Sequence, residues 1–536
     1  MTSRSVVRAL AALSLAAILL PCLGGCDEDC DHSITAPDPV DTVETIIDDN
    51  VQISDQAGLD AIVGVRHITG SLQIYQGVAD ISGLGSLQTV GRLSVYGTNL
   101  TDLSGLDSLR SCGQSLDIQN NGSLISLAGL ERLQSVERIF ISSNGPLESL
   151  TPLSGVIGLK QFSIRDQPGL ESLAGITATS GLEYVEVSGC ADLVDLGITT
   201  PMPALRNLNL RSLPSLTGVS LSDHNLGANW ACDLFDLPEL VDVDMDCSGL
   251  YELELIGLDR IRDLNWLVGA SVLRNLKLSG LDSLESLTGP DDFSQVQYLH
   301  LDELPSLSSL AEMPALPQGC DVALTDCPNL VDLGFPTGGL DRFIIDGCGI
   351  ADLSSLESQP SCRDLTLAFC GDLTSLAGIG RLSNLVELEI MGCTALASLG
   401  ADEDLLSLTI LNLADCHGLM DLSGMGQCPL LDQISIQACS GLHDLSGLEF
   451  PDTPRSLTVQ SCQQLVSLSG LETITSLEYL RFTINSLLAS LQGLENLEWV
   501  ERLYIVGNPS LPQQEIDDLL DRIIVTDTVT YGGNGS

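Results

Sequence analysis

Imidazoles, thiols and closely spaced carboxylates are the groups in this chain that could ligate a metal or carry a reaction. The six histidines, His32, His67, His224, His300, His417 and His443, fall in no H-x-x-x-H or H-E-x-x-H spacing, the spacings that set two imidazoles on one helical face around zinc. The 17 cysteines contain no C-x-x-C pair, which argues against a zinc site. Asp291-Asp292 and Asp402-Glu403-Asp404 bring acids together as calcium ligation would need, but among 72 acidic residues such neighbours arise readily and solvated loops account for them. The chain carries no G-x-S-x-G, Walker or strand-to-helix G-x-G-x-x-G motif, so nucleophile, phosphate-cradle and dinucleotide chemistry lack their scaffolds. The expectation is a protein without catalytic residues, metal or cofactor.

The elements that would position any site are set by repetition. A short apolar-x-apolar signal recurs, as in Leu116-Asp117-Ile118, Leu208-Asn209-Leu210, Leu388-Glu389-Ile390, Leu411-Asn412-Leu413 and Leu503-Tyr504-Ile505. Starts fall at 51, 72, 93, 116, 139, 162, 185, 208, 232, 253, 276, 299, 322, 343, 365, 388, 411, 434, 457, 480 and 503, twenty steps spanning 452 residues with a mean period of 22.6. A coil this small cannot bury its own apolar face and is stable only when stacked on its neighbours. Between strands, segments such as Leu100-Thr101-Asp102-Leu103-Ser104-Gly105-Leu106-Asp107-Ser108-Leu109 space leucines by three with a glycine inside, which favours turns and 3-10 segments over long helices. Aromatics make up only 4% of the chain, as suits a thin layered core.

In these motifs the chain resembles the short leucine-rich-repeat families, especially bacterial internalin-like proteins and receptor L-domain repeats. The resemblance covers residues 51–510 and implies an α/β solenoid: a right-handed coil of about 21 short repeats with a parallel sheet on the concave side. It is specific for fold and weakly specific for function. Residues 511–536 break the rhythm. Pro512 to Ile524 reads as an amphipathic helix and Val525 to Tyr531 as a last strand, a cap over the apolar end of the stack.

Five residues after each strand start lies a second periodic position. Cys190, Cys327, Cys348, Cys370, Cys393, Cys416, Cys439 and Cys462 occupy it, with Asn121, Asn144, Asn485 and Asn508 in other coils and Leu213, Leu237, Leu258, Leu281 and Leu304 in the middle. In leucine-rich families this inward position carries Asn or Cys that meets backbone groups freed where the chain leaves the strand. One cysteine per coil, in register, stands within reach of its neighbour by distance, but parallel side chains rarely offer a disulfide torsion. A ladder of structural thiols is expected. Cys112, Cys232, Cys247, Cys320, Cys362 and Cys428 lie off the ladder, and an isolated bridge among them is left open.

The N-terminus carries Arg4 and Arg8, an apolar run from Ala9 to Leu20, then Leu23-Gly24-Gly25-Cys26. This is a signal peptide over residues 1–25, too short for comfortable membrane spanning, and it resembles a bacterial lipoprotein signal in which Cys26 is lipidated. A plain signal peptide releasing a soluble protein is the alternative. Residues 26–50 hold nine acids and no Lys or Arg, which reads as an extended, disordered tether. Lipidation would place the protein at the cell envelope, on the outer membrane or cell surface.

The formal net charge is −50, so nucleic acid is a poor partner by repulsion. The better surface is the concave sheet, where residues flanking and between each apolar pair face outward. Most are small or polar. Tyr479 and Arg481 should lie beside Arg502 and Tyr504, a Tyr/Arg cluster of the kind enriched at binding hot spots. In the first half Arg165, Tyr184, Glu186 and Arg211 span three coils, with Tyr75 and Tyr96 nearer the start. Both groups could instead serve cross-strand packing. The function expected is non-enzymatic binding of a protein or glycan at the cell surface; the alternative is an envelope spacer or coat without a dedicated ligand.

Overall fold

The computed structural model describes residues 45–177, 179–336, 339–356, 358–400 and 403–535. The signal segment, Cys26, residues 26–44 of the tether and Asp402 lie outside the described residues. The chain divides into two compact units, one over residues 1–159 with 175–178, the other over 160–174 with 179–536. Both are parallel-strand solenoids, and together they make about 21 coils.

In the first unit the strands His67–Tyr75, Thr89–Tyr96, Ser111–Gln119 and Ser135–Ser142 stack in parallel after Val51–Ile53. Val51, Leu72, Leu93, Leu116 and Ile139 stand opposite one another, the strand starts expected from the repeat. Pairing begins earlier than the sequence suggests. Ile46–Ile47, inside the stretch read as tether, aligns with His67 and Ile68, and Thr45 O accepts from the Arg66 and His67 amides. Two β-branched residues suffice there because they complete the open edge of His67–Tyr75.

In the second unit the register runs Phe162, Val185, Leu208, Cys232, Leu253, Leu276, Leu299, Val322, Phe343, Leu365, Leu388, Leu411, Ile434, Leu457, Leu480 and Leu503. Each start and the residue two further on are buried, while the residue between them faces out, as strand alternation requires. One feature departs from the expected turns: Gly218–Leu221 and Asp242–Met245 form a separate two-stranded parallel pair between main strands. Val219, Leu221, Val243 and Met245 supply its alternation and are buried. On the turn side Gly129 and Gly470 have φ of 106° and 110°, and a Cβ at either would come within 2.3 Å of the preceding coil's backbone oxygen. Here only glycine lets coils approach.

The terminal helix is Gln513–Arg522, with Pro512 as its N-cap, and its Ile516 and Leu519 are buried. The last strand, Ile524–Gly532, continues the parallel ladder and sets Val529 opposite Leu503. None of the described helices is long and apolar enough to cross a membrane.

The periodic inward position is a hydrogen-bond column. Asn121 Nδ2 donates to Val95 O (3.0 Å) and to Asn144 Oδ1 (2.9 Å), and Asn144 Nδ2 donates to Ile118 O (3.0 Å). At the other end Asn485, Asn508 and Asn534 repeat the pattern toward Val459, Phe482 and Ile505. Cysteine takes over the donor role: Cys348, Cys370, Cys393 and Cys416 direct Sγ at carbonyls of Leu324, Ile345, Leu367 and Ile390, 3.6–3.7 Å away. A thiol supplies a weaker donor than the asparagine amide and lacks its acceptor oxygen. All 14 described cysteines, on and off the ladder, are buried free thiols. Burial pushes Cys190 and Cys462 up to about 11 and Cys112, Cys247, Cys320 and Cys362 up to about 12, so these sulfurs stay protonated and unreactive.

From the coil starting at Leu93 onward, each coil leaves its strand through a residue of positive φ four places after the start, for example Gly97, Asn120, Asp166, Gly189, Asp236 and Gly347. Glycine, Asn and Asp adopt that conformation at little cost. Phe369 (φ 48°) and Ile484 (φ 59°) adopt it as bulky residues, where the left-handed form costs about 1–2 kcal/mol.

Candidate binding face

Strand pairing decides which outward side chains meet. On the concave sheet of the second unit, strands Ser476–Thr483 and Trp499–Val506 place Tyr479 opposite Arg502 and Arg481 opposite Tyr504. The four form a diagonal cluster. The tyrosine rings lie 5.3 Å apart at an interplanar angle of 40°, and the Arg502 guanidinium sits 5.7 Å over the Tyr479 ring, within cation–π range. Arg481 Nε makes a long hydrogen bond of 3.4 Å to Thr483 Oγ1. Among the described residues no carboxylate lies within ion-pair distance of Arg481. Arg502 is only 4.0 Å from Glu501, and its Nε is buried without a hydrogen-bond partner. Arg481 therefore keeps donors with no acid of the described residues in reach, whereas Arg502 has one loose contact, to Glu501.

Ile484 follows directly and was not picked out by sequence. It is 52% exposed, β-branched, and held at positive φ with its amide on Val506 O. Backbone strain of this kind clusters at functional surfaces, and the exposed Phe369 shares it. The available signal was that Ile stands where most other coils carry Gly, Asn, Asp or Ser.

The earlier group does not close into one cluster. Arg165 Nη2 donates to Glu186 Oε2 at 2.7 Å, and Ser163 Oγ donates to the same oxygen at 2.9 Å. Burial pushes the Glu186 carboxyl up, but the hydrogen bonds from Arg165 and Ser163 and the charge of Arg165 outweigh it and hold the group below the ordinary glutamate value. Burial, then Glu186, pushes Tyr184 up. Arg211 turns away to the next coil: Nε donates to Asn209 Oδ1 at 2.6 Å, Nη2 lies 3.6 Å from Asp233, and the group stacks 5.5 Å from Phe235. Asp233 and Phe235 are the partners sequence reasoning missed. The pattern of cation–acid pairs continues with Lys277 Nζ on Glu254 at 2.6 Å, interrupted where the like charges of Asp233 and Glu254 stand opposite one another on adjacent rungs. Asp233 is pushed up by burial first and by Glu254 second.

In the first unit Tyr75 and Tyr96 meet edge to face at 6.4 Å. Among the described residues no three His, Cys, Asp or Glu side chains converge as a metal-ligand set.

No family model and no curated protein matches the sequence. Solved structures do match in part. An internalin, inlF, from Listeria monocytogenes is 14% identical, covering 60% of this chain and 86% of its own, with a TM-score of 0.28. The functional domain of InlJ from the same species, described as including a cysteine ladder, is 15% identical over 79% of this chain and 75% of its own, at 0.25. A TLR13–ssRNA13 complex is 17% identical over 90% and 83%, at 0.20. At these identities and TM-scores the matches carry no argument about ligand or location, and the leucine-rich-repeat fold rests on the strand register itself.

Proposed function

We propose that this protein is a non-enzymatic binding protein of the cell envelope that presents its concave sheet to a protein or glycan, with Tyr479, Arg481, Arg502 and Tyr504 as the central contact. The observation that supports it most is the state of the two arginines. In a chain with 72 acids and 22 bases, they sit on adjacent rungs, Arg502 over the Tyr479 ring with only a 4.0 Å contact to Glu501, and Arg481 has no carboxylate partner among the described residues. Tyr and Arg at the centre of a patch are the residues that most often dominate binding energy. The surplus of acid disfavours a polyanionic nucleic acid. Anchoring through lipid at Cys26, after removal of residues 1–25, belongs to the same proposal and would hold the sheet near the membrane from which it is displayed.

The test is capture from native envelope extracts by the wild-type chain and by R481A/R502A. Loss of a saturable partner by the double variant, with unchanged thermal unfolding, is expected. Equal capture by the variant would discard the patch, and no saturable partner at all would favour a spacer or coat.

A further inference from the structure

The first strands of the first unit and the last strands of the second are finished differently. At the N-terminal end the edge strands are the two residues Ile46–Ile47 and the three residues Val51–Ile53, flanked by Asp48, Asp49 and Asp55. Short, acid-bounded strands are the usual protection against edge-to-edge pairing. At the C-terminal end the helix Gln513–Arg522 covers the convex side, with Ile516, Leu519 and Ile523 buried. The strand beside it, Ile524–Gly532, is nine residues long. Its Val529 and Tyr531 stand in register with the core residues Leu503 and Ile505, yet they are 41% and 49% exposed.

We propose that this edge is an interface for a second copy of the chain, joined by antiparallel pairing of Thr528–Gly532 about a two-fold axis at Thr530. Strand polarity supports the register. Gly507 N donates to Gly532 O, so Gly532, and by alternation Thr530 and Thr528, direct their backbone groups back into the molecule. Val529 and Tyr531 therefore direct theirs outward. With the axis at Thr530, Val529 of each copy faces Tyr531 of the other as a hydrogen-bonded pair, so the two outward N–H and two outward C=O groups of each copy are satisfied. Each such pair sets a β-branched side chain against an aromatic one, a stabilising cross-strand combination. Thr530 meets Thr530 of the second copy as the close, non-hydrogen-bonded pair.

Charge permits the approach. Thr528–Gly532 carries no charge, and the register discontinuity between Val500 and Arg502 sets Asp527 outside the run; about this axis Asp527 falls opposite Gly533, so no like charges meet. The pairing would also double the binding face, a consequence that rests on the function proposed above. Tyr504 aligns with Thr530, so three strand spacings, roughly 14 Å, would separate the Tyr504 residues of the two copies, and one sheet would carry both Tyr/Arg clusters side by side.

The experiment reads association without any partner, so it stands apart from the capture test. In sedimentation of the full chain, the wild type should show twice the mass of one chain and T530K, which sets two ammonium groups face to face at the axis, the mass of one. T530C should cross-link to a reducible dimer under mild oxidation, because the close antiparallel pair brings Cα atoms to about 4.5 Å, whereas the wild type treated identically should not. A wild-type chain that sediments as a monomer, a dimer that T530K leaves intact, or a T530C chain that fails to cross-link would overturn the proposal.

Discussion

Arg165 and Arg481 both project from concave strands of the same unit, and they are in opposite electrostatic situations. Arg165 is spent on Glu186, which also collects Ser163, and the neighbouring Arg211 is spent on Asn209 and Asp233. Arg481 has one long contact to a hydroxyl, and Arg502 lies on a ring. The difference teaches what an arginine on an exposed sheet can be for. When each cation meets an acid one rung away, the cluster cross-links coils and its donors are consumed. Where aromatic faces hold the cation without neutralising it, the donors remain for another molecule. On this basis the first patch is a strap along the ladder and the second is the contact surface.

The largest expected effect separates them directly. R481A/R502A should weaken capture of the envelope partner by about tenfold or more, the ~1.4 kcal/mol that marks a substantial hot-spot loss. R165A/R211A should leave capture within about twofold. A reversal of the two outcomes would break the comparison. The next effect is on stability. E186Q removes the acceptor that holds Arg165 and Ser163, and should lower unfolding free energy by about 1 kcal/mol, below the range for buried charged hydrogen bonds because Arg165 is partly solvated. R481A/R502A should not shift it measurably.

Acid titration sharpens the same contrast. Because the folded state holds the Glu186 carboxyl below its ordinary value, the group contributes stability at pH above the ordinary glutamate range. That contribution is lost as pH falls through the folded value. Thermal unfolding of the wild type followed down to pH 3 should therefore show an acid limb that is shallower in E186Q, while R481A/R502A keeps the wild-type limb. A limb of equal slope in E186Q would remove Glu186 from the strap.

How far this contrast could be read from sequence depends on which contacts lie one period apart. The rung register was legible at every start from Val51 to Leu503 because apolar-x-apolar pairs recur with so little drift, and stacking leaves one way to bury them. The Tyr479/Arg481/Arg502/Tyr504 group followed from that register, since each pair is separated by 23 residues in regular coils. The Arg211 partners were missed for another reason: the starts at Leu208 and Cys232 already set Phe235 opposite Arg211 and Asp233 opposite Asn209, but a register says which residues are neighbours and not which way a long guanidinium turns. Ile484 escaped notice for a different reason: its positive φ is imposed by where the coil must leave the strand, and only comparison with the residues at that place in other coils marks it. The terminal strand was read as protection for the end of the stack. Its alternation was visible, but the exposure of Val529 and Tyr531 depends on the absence of a further rung among the described residues.

The smallest expected effect tests whether the aromatic support, rather than charge alone, defines the second patch. R502K keeps a cation at the same rung but replaces a planar guanidinium over Tyr479 by a compact, strongly hydrated ammonium. If the ring holds the arginine in place for its partner, capture should weaken about two- to fivefold, in line with ~0.5–1 kcal/mol for an exposed cation–π contact, and Y479L should produce a similar loss that does not add to it, since both changes remove the same interaction. R165K provides the control. Its partner is a carboxylate that an ammonium can still reach, so capture should be unaffected and stability should fall only slightly. Full retention of capture by R502K and Y479L together would mean that net charge suffices and that the stacking geometry, the feature distinguishing the two patches, has no part in binding.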